Sequence, residues 1–251
     1  MTLLYNELYV LRQRRVNQVD IYSATDFTPL RPLSVPRLQN ACFMDIASCA
    51  KHRCVYMSDI CNTCIHRVGL DSRVSRWPVG IVPWGLSVTR SGSLLVTCSH
   101  QEGRNGKLIE LNGDDGQRVR EIILQADILS PWHATLLDNG QYLVCHGDLP
   151  ENSRLTKVTD EGKVEESNAG RLKEPRHLAV ADELVFVADS WNDRIAAFDP
   201  SLNYVYNLMS RMPSRPERLC FDKAMGRLYV GQSGGVVIVV QLDTRRSDTH
   251  L

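Results

Sequence analysis

The sequence predicts an all-β protein, a six-bladed β-propeller with four-stranded antiparallel blades. Three observations lead there. One strand signature recurs six times, each copy lies among period-two apolar runs closed by tight-turn dipeptides, and four copies follow a second apolar strand led by proline.

The signature is Leu8-Tyr9-Val10, Val55-Tyr56-Met57, Leu94-Leu95-Val96, Tyr142-Leu143-Val144, Val185-Phe186-Val187 and Leu228-Tyr229-Val230. Successive copies stand 39 to 48 residues apart, the length of one four-stranded propeller blade. Helical solenoids share that period but not the alternation. Nor do they need Ser91-Gly92, Asn112-Gly113, Asn139-Gly140 and Glu161-Gly162, pairs that tolerate positive φ and close hairpins.

The strand ahead of each signature reads Pro83-Trp84-Gly85-Leu86-Ser87-Val88, Pro131-Trp132-His133-Ala134, Pro175-Arg176-His177-Leu178-Ala179-Val180 and Pro216-Glu217-Arg218-Leu219-Cys220. This is the expected innermost strand. Proline suits its start because the ring fixes φ and removes a donor before the ladder needs one. A third strand is clearest at 194–199, and a turn at Pro200-Ser201 leads to a fourth at 204–209.

One domain over 1-251 results, with blades at roughly 1-35, 36-78, 79-124, 125-170, 171-210 and 211-251. The first signature begins almost at Met1, and only the polar 243–251 follows the apolar run 236–242. The expected ring therefore lacks the inner strand of its first blade and the outer strand of its last. Two edges would be left unpaired, as in a fragment of a longer protein or an imperfect ring.

Composition narrows the function. Of 251 residues 43% are apolar, and 29 Lys plus Arg balance 29 Asp plus Glu. No global field draws the chain to nucleic acid or an anionic membrane. No apolar run reaches membrane-spanning length and no leader pattern opens the chain, so no membrane partner is expected. Eight cysteines without a leader read as reduced, mostly buried thiols in a cytoplasmic protein.

One blade carries a family likeness. The stretch Pro175-Arg176-His177-Leu178-Ala179-Val180, then 184–195 with Val187-Ala188-Asp189-Ser190-Trp191-Asn192-Asp193-Arg194-Ile195, then Phe198-Asp199, resembles a consensus NHL repeat. Around Tyr56 the copy keeps Asp59, Asn62 and Ile65, while the copies at Leu94 and Tyr142 keep only the strand pattern. NHL propellers are interaction modules, often at the C-terminus of tripartite-motif ubiquitin ligases, and bind proteins or structured RNA. The resemblance implies such a scaffold role. The zinc-binding and coiled-coil parts of those ligases have no counterpart here.

Several constellations compete for the site. Cys61-Asn62-Thr63-Cys64 has half-zinc-site spacing, with Cys42, Cys49, Cys54, His52 and His66 nearby. The repeat alignment instead sets Cys61 opposite Trp191 and Cys64 opposite Arg194, on an ordinary turn, so no metal is expected there. The residue two places after the leading proline recurs as Gly85, His133, His177 and Arg218, with Asp45 equivalent in the second blade. Amidating lyases, on a related propeller, hold a channel metal with inner-strand histidines, which makes Asp45, His133 and His177 the best enzyme candidate. No Gly-x-Ser-x-Gly turn or phosphate-binding glycine loop is present, so neither catalysis nor a cofactor is expected.

Partner binding is the favoured reading. Trp84, Trp132 and Arg176 lie in the loops feeding inner strands, and Trp191 and Arg194 on the turn after the second strand; Arg218 completes the set. Tryptophan and arginine are enriched at interface hot spots. RNA is the rival ligand, through Arg171, Lys173, Arg176, Arg211, Arg215 and Arg218, although Glu174 and Glu217 interleave and no base-stacking motif accompanies them.

Overall fold

The structure, a computed structural model, describes residues 1–12, 18–33, 41–100, 106–168, 171–181 and 183–242. It holds six sheets, each built from consecutive antiparallel strands. The first contains β1 (Thr2–Leu4), β2 (Glu7–Arg12), β3 (Gln18–Ser23) and β4 (Pro29–Leu33). The second contains β5 (Phe43–Cys49), β6 (Cys54–Asp59), β7 (Cys64–Gly69) and β8 (Val74–Pro78); the third, β9 (Val82–Val88), β10 (Leu94–Ser99), β11 (Lys107–Leu111) and β12 (Arg118–Ile123). The fourth contains β13 (Pro131–Leu136), β14 (Tyr142–His146), β15 (Arg154–Val158) and β16 (Val164–Ser167); the fifth, β17 (Pro175–Ala181), β18 (Leu184–Asp189), β19 (Arg194–Phe198) and β20 (Tyr204–Met209). The sixth has β21 (Pro216–Asp222), β22 (Arg227–Gln232) and β23 (Val237–Gln241). No helix of the described residues is long and apolar enough to cross a membrane.

The repeated signature is the second strand of every blade. It is apolar at successive positions because neighbouring blades cover both of its faces, and β6, β10 and β14 are buried end to end. The fourth strands are outer edges. In β4 and β8 nearly every residue is exposed, and proline or arginine stands among them, which discourages further strand pairing.

The core lies between blades, not within one central mass. Tyr56 and Ile65 pack against Leu86, Val96 and Ile109 between blades two and three. Comparable clusters join each following pair, from Leu95 and Tyr142 to Phe186 and Leu228. Met1, Leu8 and Tyr229 join the sixth blade to the first, so the ring closes. That seam is the thinnest of the interfaces, and a cavity of about 670 Å³ opens there, lined in part by Val10, Tyr22, Met44, Arg218 and Val239.

The ends depart from expectation in one respect. The inner strand of the first blade is present, shortened to three residues that pair with β2. Among the described residues the last blade has three strands, as expected, and β23 is its edge. The polar segment 243–251 lies outside the described residues.

Every inner strand except the short β1 carries a register shift at its start. Pro175 pairs with Asp189 and His177 with Ala188, so Arg176 is an extra, bulged residue. The same holds for Trp132, Glu217 and Trp84. In β5 the shift falls between Phe43 and Ile46. A bulge re-aims side chains locally, and here it divides the start of these five strands into two levels.

Candidate functional site

The pairing of Pro175 with Asp189 places the incoming loop and the turn after the second strand at one end of the blade. Pro131 with His146 and Pro216 with Gln232 repeat the arrangement. One face of the propeller therefore gathers the partner-binding and channel candidates named from the sequence, while Cys49, His52 and Cys54 lie at the other end of their blade.

The bulged residues line the upper level. The Trp84 and Trp132 rings meet edge to face at 5.2 Å. The Arg176 guanidinium covers the Trp132 ring at 4.8 Å. Arg176 also bonds Glu174 at 2.6 Å and approaches Glu217 at 3.5 Å. The recurrence of Trp84, Trp132, Arg176 and Glu217 directly after proline marks this rim in the sequence.

The next residues form a buried lower level. His133 and His177 stack with centroids 3.7 Å apart. His177 Nε2 lies 3.6 Å from Asp45 Oδ2 and Arg218 Nε lies 3.2 Å from Asp45 Oδ1. Asp45 Oδ2 also accepts the Leu86 N–H, at 2.9 Å. Gly85 has no side chain here because a Cβ would stand 2.4 Å from the Trp132 carbonyl oxygen and 2.9 Å from His133 Cα.

Electrostatics fix the charge states. Burial would raise the Asp45 carboxyl, but the Arg218 guanidinium and then His177 hold it well below the usual carboxylate range. Burial pushes His133 well down, with His177 adding to it, and lowers His177 against the opposing pull of Asp45. Burial also lowers the Met1 amine beside the same groups. The cluster is one carboxylate, one guanidinium and two neutral imidazoles.

This bears on the channel-metal expectation. Asp45, His133 and His177 do bring ligand atoms within 4.8 Å of one another. However, Arg218 already supplies the cation. His177 Nδ1 accepts the Leu219 N–H, which assigns its proton to Nε2, toward Asp45. His133 Nε2 donates to the Leu86 carbonyl at 3.1 Å and Nδ1 is left buried without a partner. With Arg218 on the carboxylate and both His177 nitrogens engaged, only His133 offers a bare nitrogen, and one such donor fits a divalent metal poorly.

The remaining candidates divide by whether their charge is used. Arg194 Nε donates to Asp189 at 2.6 Å, within a knot where Asp189 also accepts from the Lys173 backbone and Asn192. Arg176, Arg194 and Arg218 therefore brace the fold. By contrast Arg171, Lys173, Arg211 and Arg215 are exposed, and none has a carboxylate partner among the described residues. Arg215 stacks over the Trp191 ring at 4.7 Å and Arg171 over Tyr204 at 5.5 Å. Trp191 is 55% exposed. A backbone bond from Trp191 N to Lys173 O, and another from Met212 N to Asp193 O, hold the three loops together.

The cysteines require a correction. Cys42 and Cys61 form a disulfide, and six cysteines are free, five of them buried. The bond ties the loop before β5 to the turn after β6, on the same face. Eight cysteines alone could not reveal the pairing because the partners are 19 residues apart and meet only through the blade.

No protein-family model matches the chain, and no curated protein does. Solved structures share its fold. A Bacteroides caccae protein of unknown function superposes with TM-score 0.74 at 13% identity, covering 94% of this chain and 90% of that one. Streptogramin B lyase superposes with TM-score 0.67 at 13% identity, over 97% and 82%. A chain of a nidogen/laminin complex gives 0.70 at 16% identity, over 87% and 83%. At such identities the likeness shows the six-bladed propeller alone; the NHL resemblance rests on the residues quoted above.

Proposed function

We propose that this propeller is a binding module that takes an acidic protein segment on the face carrying Trp191. The observation behind this is an exposed tryptophan stacked under Arg215, beside Arg171, Lys173 and Arg211, which have no carboxylate partner among the described residues. Exposed aromatic area with unneutralised arginine is the composition of an interface hot spot. Trp84, Trp132 and Arg176 form a stiff rim next to it, preorganised by their own contacts. The NHL resemblance and a structural neighbour drawn from a protein–protein complex support the same reading. In a ubiquitin-ligase context the chain would select the substrate and leave the transfer chemistry to other parts.

The test is affinity capture from native lysate with the wild-type chain and with Trp191→Ala/Arg215→Glu, with and without ribonuclease. Proteins that survive ribonuclease and are lost with the variant support the proposal. Equal recovery by the variant contradicts it. Recovery that collapses on ribonuclease gives the face to RNA, and the affinity should then fall steeply with salt.

A channel reaction is the second reading, favoured by the buried His133–His177 pair and by the lyase neighbour. It predicts turnover of a streptogramin B that is lost in His133→Ala. No turnover by the wild type removes it.

A further inference from the structure

Away from the channel, three buried ligand-type side chains meet in the second blade. Asp59 ends β6, Cys64 begins β7, and His66 follows two residues later on the same side of that strand. His66 Nε2 lies 3.1 Å from Asp59 Oδ2 and 3.4 Å from Cys64 Sγ. All three ligand atoms lie within 4.8 Å of one another. Asp59 and Cys64 are fully buried and His66 is 3% exposed.

A catalytic relay would use both imidazole nitrogens, one toward the thiol and one toward the carboxylate. Here a single nitrogen faces both. Convergence of sulfur, nitrogen and oxygen on one point is instead the plan of a metal site. Tetrahedral zinc, about 2.0–2.1 Å from N and O and about 2.3 Å from S, sets ligand-to-ligand edges of about 3.3 to 3.6 Å. The observed contacts are within about 0.2 Å of such edges.

Binding through Nε2 requires the proton on Nδ1; without metal the Asp59 carboxylate holds it on Nε2, and zinc would take the place of that hydrogen bond. Arg76 Nε donates to Cys64 Sγ at 3.2 Å, and its exposed guanidinium would offset part of the charge of an anionic ligand set.

A fourth candidate stands on the same turn. Cys61 stands two residues after Asp59 and three before Cys64, the Cys-x2-Cys spacing of zinc sites. It is exposed and bonded to Cys42. We propose that Asp59, Cys61, Cys64 and His66 form a zinc site that is completed when the Cys42–Cys61 disulfide is reduced.

The chemistry balances with a dithiol as reductant. Thiol exchange breaks the S–S bond, two electrons and two protons pass to Cys42 and Cys61, and the dithiol leaves as its cyclic disulfide. On zinc binding the Cys61 and Cys64 thiols lose their protons to solvent, and the His66 proton moves from Nε2 to Nδ1.

The full chain is titrated with zinc alone, oxidised or after dithiol reduction and anaerobic desalting. Reduced wild type is expected to bind one zinc, and Cys42→Ser, which frees Cys61 without reductant, to do so in air. Oxidised wild type, Cys61→Ser, Cys64→Ser and His66→Gln should bind at least about 10-fold more weakly. Cobalt in Cys42→Ser should give tetrahedral bands with charge transfer from two thiolates, reduced to one in Cys61→Ser; both variants lose the disulfide equally, so the comparison isolates the Cys61 thiolate. No uptake by the reduced protein, no tetrahedral cobalt spectrum, or full affinity in Cys61→Ser would overturn the proposal.

Discussion

Arg218, on the inner strand of the last blade, closes on Asp45, on the inner strand of the second, with Nε 3.2 Å from Oδ1. Its Nη2 bonds the Met44 carbonyl at 2.7 Å. The first blade stands between those two in the ring, and its own inner strand is only three residues long. The guanidinium thus bridges the place where the strand framework is shortest. Asp45 is 1% exposed, so its charge depends on that contact.

Removing one partner leaves the other buried and uncompensated. Arg218→Met is therefore expected to lower stability by about 3–5 kcal/mol. Adding Asp45→Asn to it should recover part of the loss. Denaturant unfolding of the two single variants and the double variant measures this; additive losses would mean that the two side chains are not coupled.

At Gly85 the inner strand of the third blade runs directly against the backbone of the fourth. Gly85→Ala places a Cβ against the backbone of Trp132 and His133, and such overpacking costs about 1–3 kcal/mol. A lowered Tm is expected, together with a changed tryptophan fluorescence from the displaced Trp132. An unchanged Tm would show that the rim gives way freely.

Stability should fall with acid before the carboxylates titrate. Burial pushes His146 down to about 4, against about 6.5 in an unfolded chain. The unfolded state takes up that proton first, so the contribution is complete above about pH 6.5 and is lost as the pH falls toward 4, on the order of 3 kcal/mol. His133 and His177 act in the same direction. Unfolding free energies measured between pH 7 and 4.5 test this, and His146→Gln should reduce the slope.

The cysteine pairing is open to direct reading. Denatured, unreduced protein should take up six alkyl groups, with Cys42 and Cys61 joined in the peptide map. Loss of the bond in Cys42→Ser should cost about 3 kcal/mol under oxidising conditions and nothing after reduction. Eight alkyl groups would contradict the pairing.

The sequence showed its architecture because a propeller repeats one problem six times. A second strand covered on both faces must be apolar throughout, so Val55-Tyr56-Met57 and its equivalents stand out at any register. The bulge after each leading proline left no such mark. Alternation counted from Pro131 or Pro175 says nothing of an inserted residue, so the sequence marks Trp132 and Arg176 as binding residues without showing that they stand one level above His133 and His177. Asp45 with Arg218 was hidden differently, since only ring closure brings the second and last blades together. The exposed patch was half legible: Trp191 stood out between polar residues, but which arginines were already neutralised depended on Asp189, Glu174 and Asp45 reaching them.

The most direct test of the binding face is hydrogen exchange on the propeller with and without a captured partner. Protection confined to 171–174, 190–193 and 210–215, and absent with Trp191→Ala/Arg215→Glu, is the predicted result. Protection on the opposite face, or along β23 alone, would contradict it.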